Sequence, residues 1–201
     1  MRAFLLTIVV ASSIAHADST SYTPLVEMRT VDAACRTLAE TPSNARISGP
    51  MFDAAISTAN CMAMTRASRL ELAPTAASIK ALDEAVAPAM AILDTVIATG
   101  DAAHQLIAQH SKLDILQSNT ARMFSAVPQL SPQMGSGEVA DQAEVLAATE
   151  ALTEPWRRRA LQCRRLIARL VYQHPALATR DAVFAHMVAD SRIVDAAGAR
   201  R

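Results

Sequence analysis

Apolar residues recur every three or four positions along most of this chain, the spacing typical of amphipathic α-helices. The clearest example is the stripe formed by Ile79, Leu82, Val86, Met90 and Leu93. No run alternates apolar and polar residues over the length that a half-buried strand requires. Alanine is abundant and glycine scarce, which also favours helices. The sequence therefore predicts an all-α fold, a single compact helical bundle of about six or seven helices.

Proline, glycine and capping residues mark where the expected helices begin and end. The expected starts are Thr23-Pro24, Ser48-Gly49-Pro50, Ala73-Pro74, Asp101, about Glu138, Glu154-Pro155 and about Thr179. Pro88 lies inside the third helix and is expected to kink or break it. The stretch PQLSPQMGSG, residues 128–137, is expected to be a linker that separates two helical parts of one domain.

The first residues resemble a secretory signal peptide in their order of charge and hydropathy. Met1-Arg2 is followed by an apolar run at residues 3–15, and Ala15-His16-Ala17 places small residues at the two positions that a signal peptidase reads. The sequence thus predicts a signal peptide at residues 1–17 and a helical domain at 18–201. The expected location is periplasmic or secreted, with no transmembrane segment in the mature chain.

Three cysteines follow the expected cleavage site: Cys35, Cys61 and Cys163. An exported chain with three cysteines is expected to form one disulfide and keep one thiol. All three pairings are possible from the sequence. Cys35–Cys61 is the candidate disulfide because it closes the shortest loop, and Cys163 is then expected to be a buried thiol without a nucleophilic role.

The most charged stretch, EPWRRRALQCRRLIARLV, contains six arginines within thirteen residues. Residues 18–154 hold sixteen acidic and eight basic residues, whereas residues 155–201 hold ten arginines and three aspartates. On a helical wheel Trp156, Cys163 and Ile167 fall in one apolar arc. Most of the arginines lie outside that arc, and Arg159 lies inside it, so Arg159 is expected to extend to solvent or to pair with a carboxylate.

Three interpretations of the arginine stretch remain open, and the first is favoured. In the first interpretation the stretch is a solvated helix face, with Glu154 paired to Arg157 and Arg158. In the second it is an anion site, which requires that Pro155 begins a helix whose first turn presents free N–H groups. In the third it is a membrane-surface helix. The candidate residues for binding an anion or a partner are Arg157, Arg158, Arg159, Arg164 and Arg165.

Signals for catalysis or for a metal are weak. No catalytic sequence motif is present, and the pairs His110–Asp114 and Asp101–His104 are expected to be local surface pairs. Cys61, Met62 and Met64 supply three sulfur atoms within four residues, and soft ligands of this type suit Cu(I).

The function that the sequence favours is that of an exported, non-enzymatic helical binding or interaction protein, with the arginine helix as its candidate surface. The alternative is a bundle that binds a soft metal or haem, and a third is an enzyme of unrecognised type. No cofactor is expected under the favoured interpretation. The expected partner is an unknown protein or a small anionic ligand, and nucleic acid is disfavoured because the rest of the chain is acidic.

Overall fold

The structure, a computed structural model, describes residues 25–39, 49–128 and 136–198 of the 201-residue chain. The predicted signal peptide at residues 1–17, the expected helix start at Thr23-Pro24 and most of the expected linker lie outside the described residues.

The described residues form six α-helices and no strand, so the predicted all-α bundle is confirmed. The helices are α1 (Arg36–Ala39), α2 (Gly49–Ser68), α3 (Ala76–Thr99), α4 (Ala102–Ser125), α5 (Ser136–Gln173) and α6 (Ala182–Gly198). Three 3-10 turns accompany them, at Met28–Thr30, Ala33–Cys35 and Pro175–Thr179. None of the helices in the described part of the chain combines the length and apolar content that a membrane span needs.

Helix α4 lies at the centre of the bundle and contacts α2, α3 and α5. It runs parallel to α2, as two hydrogen bonds show. The Asn60 amide donates to the Ser111 hydroxyl near the middle of α4, and Arg122, near the end of α4, donates to the carbonyl oxygen of Leu70, just after α2. The main core lies between α2, α3, α4 and α5. A second cluster, built around Leu106, Leu177 and Phe184, packs α6 against the start of α4 and the end of α5.

The junction between α3 and α4 follows the capping residues predicted from the sequence. Gly100 ends α3, and a Cβ at this position would lie 2.7 Å from the carbonyl oxygen of Val96. Asp101 then caps α4, accepting hydrogen bonds from the backbone N–H groups of Ala103 and His104 at 3.0 Å. Pro88 was expected to kink or break α3; the helix continues through this residue, so a break is excluded.

Pro155 does not begin a helix, and this is the main correction to the predicted element order. The expected fifth and sixth helices are one helix, α5, which runs through Pro155 from Ser136 to Gln173. A proline inside a helix costs about 3 kcal/mol. The next residue, Trp156, is 1% exposed, and burying an indole contributes about 4–6 kcal/mol at ~25 cal/mol per Å². Tertiary packing therefore outweighs the local cost of the proline.

The segment before α2 also differs from its prediction. A regular helix was expected through Leu25, Val31 and Leu38, but residues 28–39 form two 3-10 turns and the one-turn helix α1. Asp32 lies between the two 3-10 turns. It accepts hydrogen bonds from Arg66 Nε of α2 (2.6 Å) and from Nη1 of Arg69, the residue that follows α2 (3.3 Å).

These two arginines also determine how Asp32 titrates. Burial disfavours the charged form of Asp32, but the hydrogen bonds and charges of Arg66 and Arg69 outweigh it and lower the pKa of this carboxyl group. Arg66 also donates to the carbonyl oxygen of Thr30 at 2.7 Å. Tertiary contacts with α2 thus determine the backbone path of residues 28–39, in place of their helical periodicity.

The predicted cysteine pair, Cys35 and Cys61, forms a disulfide with an S–S distance of 2.08 Å. It joins the Ala33–Cys35 turn to α2 across a sequence separation of 26 residues. Cys163 is a buried free thiol, as the sequence predicts. Burial raises the pKa of this thiol, which keeps it protonated and poorly nucleophilic.

Replacing both Cys35 and Cys61 by serine is expected to lower the free energy of unfolding by on the order of 3–4 kcal/mol, because the disulfide restricts the unfolded chain. Equilibrium urea unfolding of the wild type and the double variant measures this difference. The control is Cys163→Ala, which should still be destabilised by a reductant. A reductant effect that disappears in Cys163→Ala would contradict the assignment.

Candidate functional site

A cluster of three side chains, Trp156, Arg159 and Asp83, joins helix α5 to α3. The buried indole of Trp156 donates from Nε1 to Asp83 Oδ1 at 2.9 Å, and Arg159 Nη1 donates to the same oxygen at 3.1 Å. Arg159, the arginine inside the apolar arc, was expected to reach solvent or a carboxylate, and it pairs with Asp83. Asp83 could not be identified as this partner from the sequence, because it lies on α3, 73 residues before Trp156.

Glu154 pairs with two arginines on its own helix. Arg158 Nε lies 2.9 Å from Glu154 Oε1, and Arg157 Nη1 lies 3.9 Å from Glu154 Oε2. These are the i,i+4 and i,i+3 contacts expected from the spacing. All three side chains are well exposed, so each pair contributes at most a few tenths of a kcal/mol to stability, of the order of 0.3–0.5.

The remaining arginines of α5 lack carboxylate partners in the described part of the chain. No carboxylate oxygen lies within 4.0 Å of Arg164, Arg165 or Arg169 among the side chains that the structure describes, which do not include those of residues 138 and 192–198. Arg165 and Arg169 are exposed and Arg164 is partly buried. The C-terminal half of α5 therefore carries positive charge that its own surroundings do not neutralise.

A groove of about 350 Å³ runs between α4 and α5, with an arginine near each end. Its lining consists of Gln117, Thr120 and Ala121 from α4 and of Arg157, Ala160, Leu161 and Arg164 from α5. Arg157 and Arg164 are seven residues apart, which separates them by about 10 Å along the helix axis at 1.5 Å per residue. The five arginines predicted to bind an anion or a partner thus lie in three places. Arg157 and Arg164 line the groove, and Arg159 is paired with Asp83. Arg158 and Arg165 lie on the outer face of α5.

The structure argues against two of the three interpretations of the arginine stretch. An anion site at a helix N-terminus requires free backbone N–H groups near Arg157, but α5 begins at Ser136, so residues 157–159 lie in the helix interior. A membrane-surface helix requires an exposed apolar face, but Trp156, Cys163 and Ile167 belong to the core. The arginine stretch is therefore best described as a set of charged side chains next to the α4–α5 groove.

The three sulfur atoms proposed for a soft metal are not brought together. Cys61 is bonded to Cys35, Met62 is fully buried, and Met64 is 73% exposed. A disulfide sulfur is also not the thiolate that binds soft metals. Within the described residues, no group of three or more His, Cys, Asp or Glu side chains is arranged to hold a metal ion.

Both histidine–aspartate pairs are present, and each extends to a neighbouring helix. His104 Nδ1 lies 2.8 Å from Asp101 and its Nε2 lies 3.5 Å from Asp53 of α2. His110 Nδ1 lies 3.0 Å from Asp114, and its Nε2 lies 3.7 Å from Asp190 of α6.

Hydrogen bonding to Asp114 raises the pKa of His110, against the opposing effect of burial, and the charges of Asp114 and Asp190 raise it further. His110 therefore connects α4 and α6 as an ion pair when it is protonated. The sequence predicted the local pairs but not the carboxylates on other helices.

Comparison of the chain with protein-family models, with curated protein sequences and with solved structures found no match.

The cluster around Trp156 leads to a prediction about stability. Asp83→Ala leaves the buried indole N–H without its acceptor and is expected to cost about 1–3 kcal/mol. Arg159→Gln removes an ion pair whose arginine side chain is 54% exposed, and is expected to cost less than about 1 kcal/mol. Equilibrium urea unfolding measures both. Equal losses in the two variants would show that the ion pair, and not the indole hydrogen bond, is the main contribution.

The raised pKa of His110 makes part of the stability depend on pH. Because the pKa is higher in the folded state than the unfolded value of about 6.5, the stabilisation is complete below that pH and is lost as pH rises through the folded-state pKa. The difference in unfolding free energy between wild type and His110→Gln should therefore shrink as pH increases from about 6 to 9. A difference that is constant or grows over this range would contradict the assignment.

Proposed function

We propose that this protein is an exported, non-enzymatic binding protein that docks an acidic segment of a partner protein in the groove between α4 and α5. The observation that carries the proposal is the pair of arginines at the two ends of this groove, next to further arginines without carboxylate partners in the described part of the chain. An occupant with carboxylates is the one that this charge pattern complements.

The dimensions of the groove favour a helical acidic segment. Two carboxylates on one face of a helix, seven residues apart, have the same axial separation of about 10 Å as Arg157 and Arg164. The floor between the arginines is made of Ala121, Ala160 and Leu161, which suits a small or medium apolar side chain between the two acids. Guanidinium groups bind carboxylates through paired hydrogen bonds, so this arrangement sets the register of the partner as well as its charge.

The outer arginines have a different role in this proposal. Arg158, Arg165 and Arg169 lie on the exposed side of α5 and do not line the groove. Their charges attract an acidic partner over a distance of about one Debye length, ~8 Å at physiological ionic strength. They therefore increase the rate of association, whereas Arg157 and Arg164 contact the bound segment.

The expected export and the absence of catalysis rest on separate observations. A disulfide between Cys35 and Cys61 and the pattern of the first 17 residues both favour an oxidising compartment. The groups most suited to nucleophilic chemistry are poorly placed for it. Cys163 is buried with a raised pKa, and the ring nitrogens of His104 and His110 are directed at carboxylates.

The test uses a fluorescein-labelled helical peptide with two glutamates seven residues apart and leucine and alanine between them. Fluorescence anisotropy measures its Kd for the protein at about 0.15 M salt. In the double variant Arg157→Gln, Arg164→Gln we expect binding to weaken by about tenfold or more, because two charge-assisted hydrogen bonds are lost. A peptide with glutamine in place of both glutamates should bind more weakly to the wild type by a similar factor.

The matched control is Arg165→Gln, Arg169→Gln, which removes the same charge from the outer face of α5. Here we expect a change of less than about threefold at this ionic strength, because screened charges outside the groove act mainly at long range. Equal weakening in both double variants would show that the peptide senses overall charge and not the groove. Absence of saturable binding to the wild type would contradict the docking proposal.

A further inference from the structure

A second cavity lies on the opposite side of α4, between that helix and α2, with a volume of about 470 Å³. Small apolar side chains form its floor: Ala63 and Ala67 from α2 and Ile115 from α4. Met64, which is 73% exposed, lies at its rim. This volume is within the range of about 300–1,000 Å³ in which proteins bind small molecules.

Arg122 gives this cavity an unsatisfied positive group. Its Nη2 donates to the carbonyl oxygen of Leu70 at 3.5 Å, whereas its Nη1 is buried and has no hydrogen-bond partner among the described residues. No carboxylate oxygen lies within 4.0 Å of this side chain in that part of the chain. The guanidinium group of Arg122 therefore keeps unused hydrogen-bonding capacity and an unneutralised charge at the wall of this cavity.

Polar side chains next to Arg122 add direction to the site. Asn119 is 3% exposed and lines the same cavity one turn before Arg122, and its amide can donate or accept a hydrogen bond. Asp114 lines the other end, eight residues and about 12 Å before Arg122 along the helix axis. Its carboxylate is held by His110 at 3.0 Å. The separation from Arg122 also exceeds the Debye length of about 8 Å at physiological ionic strength, so solvent largely screens its charge from an anion bound at Arg122.

We propose that the α2–α4 cavity binds a small monocarboxylic acid with an apolar body. The carboxylate accepts hydrogen bonds from the Arg122 guanidinium and from the Asn119 amide. The apolar body lies over Ala63, Ala67 and Ile115, and the flexible thioether of Met64 closes over it from the rim. This site does not depend on the groove between α4 and α5, because the two cavities have no residue in common.

Isothermal titration calorimetry with octanoate as the probe tests this site directly. Octanoate should bind with one-to-one stoichiometry. Two further ligands separate the contribution of the carboxylate from that of the apolar body. Acetate has the carboxylate without the apolar body, and 1-octanol has the body without the charge. We expect each to bind at least about tenfold more weakly than octanoate. Equal affinity for octanoate and 1-octanol would overturn the role of Arg122.

Two variants locate the octanoate site in the protein. Arg122→Gln should weaken octanoate binding by about tenfold or more, while Arg122→Lys retains the charge and should recover part of it. Ser118→Trp places an indole in the cavity from an exposed position on α4, leaves Arg122 in place and should abolish binding.

The matched control is Arg164→Gln, which removes one arginine from the other side of α4 and should leave octanoate affinity unchanged. Circular dichroism establishes that each variant is folded; if Arg122→Gln is not, Ser118→Trp decides the matter. Unchanged octanoate binding in Ser118→Trp would overturn the proposal, and so would the absence of octanoate binding to the wild type. Because the acidic peptide test does not use this cavity, failure of one proposal leaves the other standing.

Discussion

The packing of Trp156 against α3 determines which side chains of α5 face solvent, groove and core. The buried indole is fixed by its hydrogen bond to Asp83, and the helix cannot rotate about its axis without breaking that contact. Arg157 and Arg164 are then turned toward α4, while Arg165 faces outward. The same burial offsets the cost of Pro155 and keeps α5 continuous. The arrangement of charge on this surface therefore follows from the face of α5 that enters the core, which includes Cys163 and Ile167 as well as Trp156.

Features that depend on near neighbours in sequence were predictable. The all-α fold follows from helical periodicity, and the cap at Asp101 follows from the residue types around Gly100. The pairing of Glu154 with Arg158 follows from their spacing of four residues. Arg159 was expected to reach solvent or a carboxylate because the helical wheel places it among apolar residues, although the wheel could not identify the carboxylate.

Features that depend on distant residues could not be predicted in this way. The continuity of α5 through Pro155 requires the core that Trp156 enters. The irregular path of residues 28–39 requires Arg66 and Arg69, which bind Asp32. The groove and the cavity on the two sides of α4 combine residues from helices far apart in sequence. The proximity of Met62 and Met64 in sequence was misleading for a related reason, since helical geometry directs one into the core and the other to solvent.

The proposed binding of an acidic partner in the α4–α5 groove can be mapped residue by residue. The measurement is amide chemical-shift mapping by NMR, with the unlabelled acidic peptide added to isotopically labelled protein. We expect the largest shifts to cluster at four residues of the groove: Thr120, Ala121, Ala160 and Leu161. Shifts spread over all exposed arginines, or concentrated on α2, would contradict it.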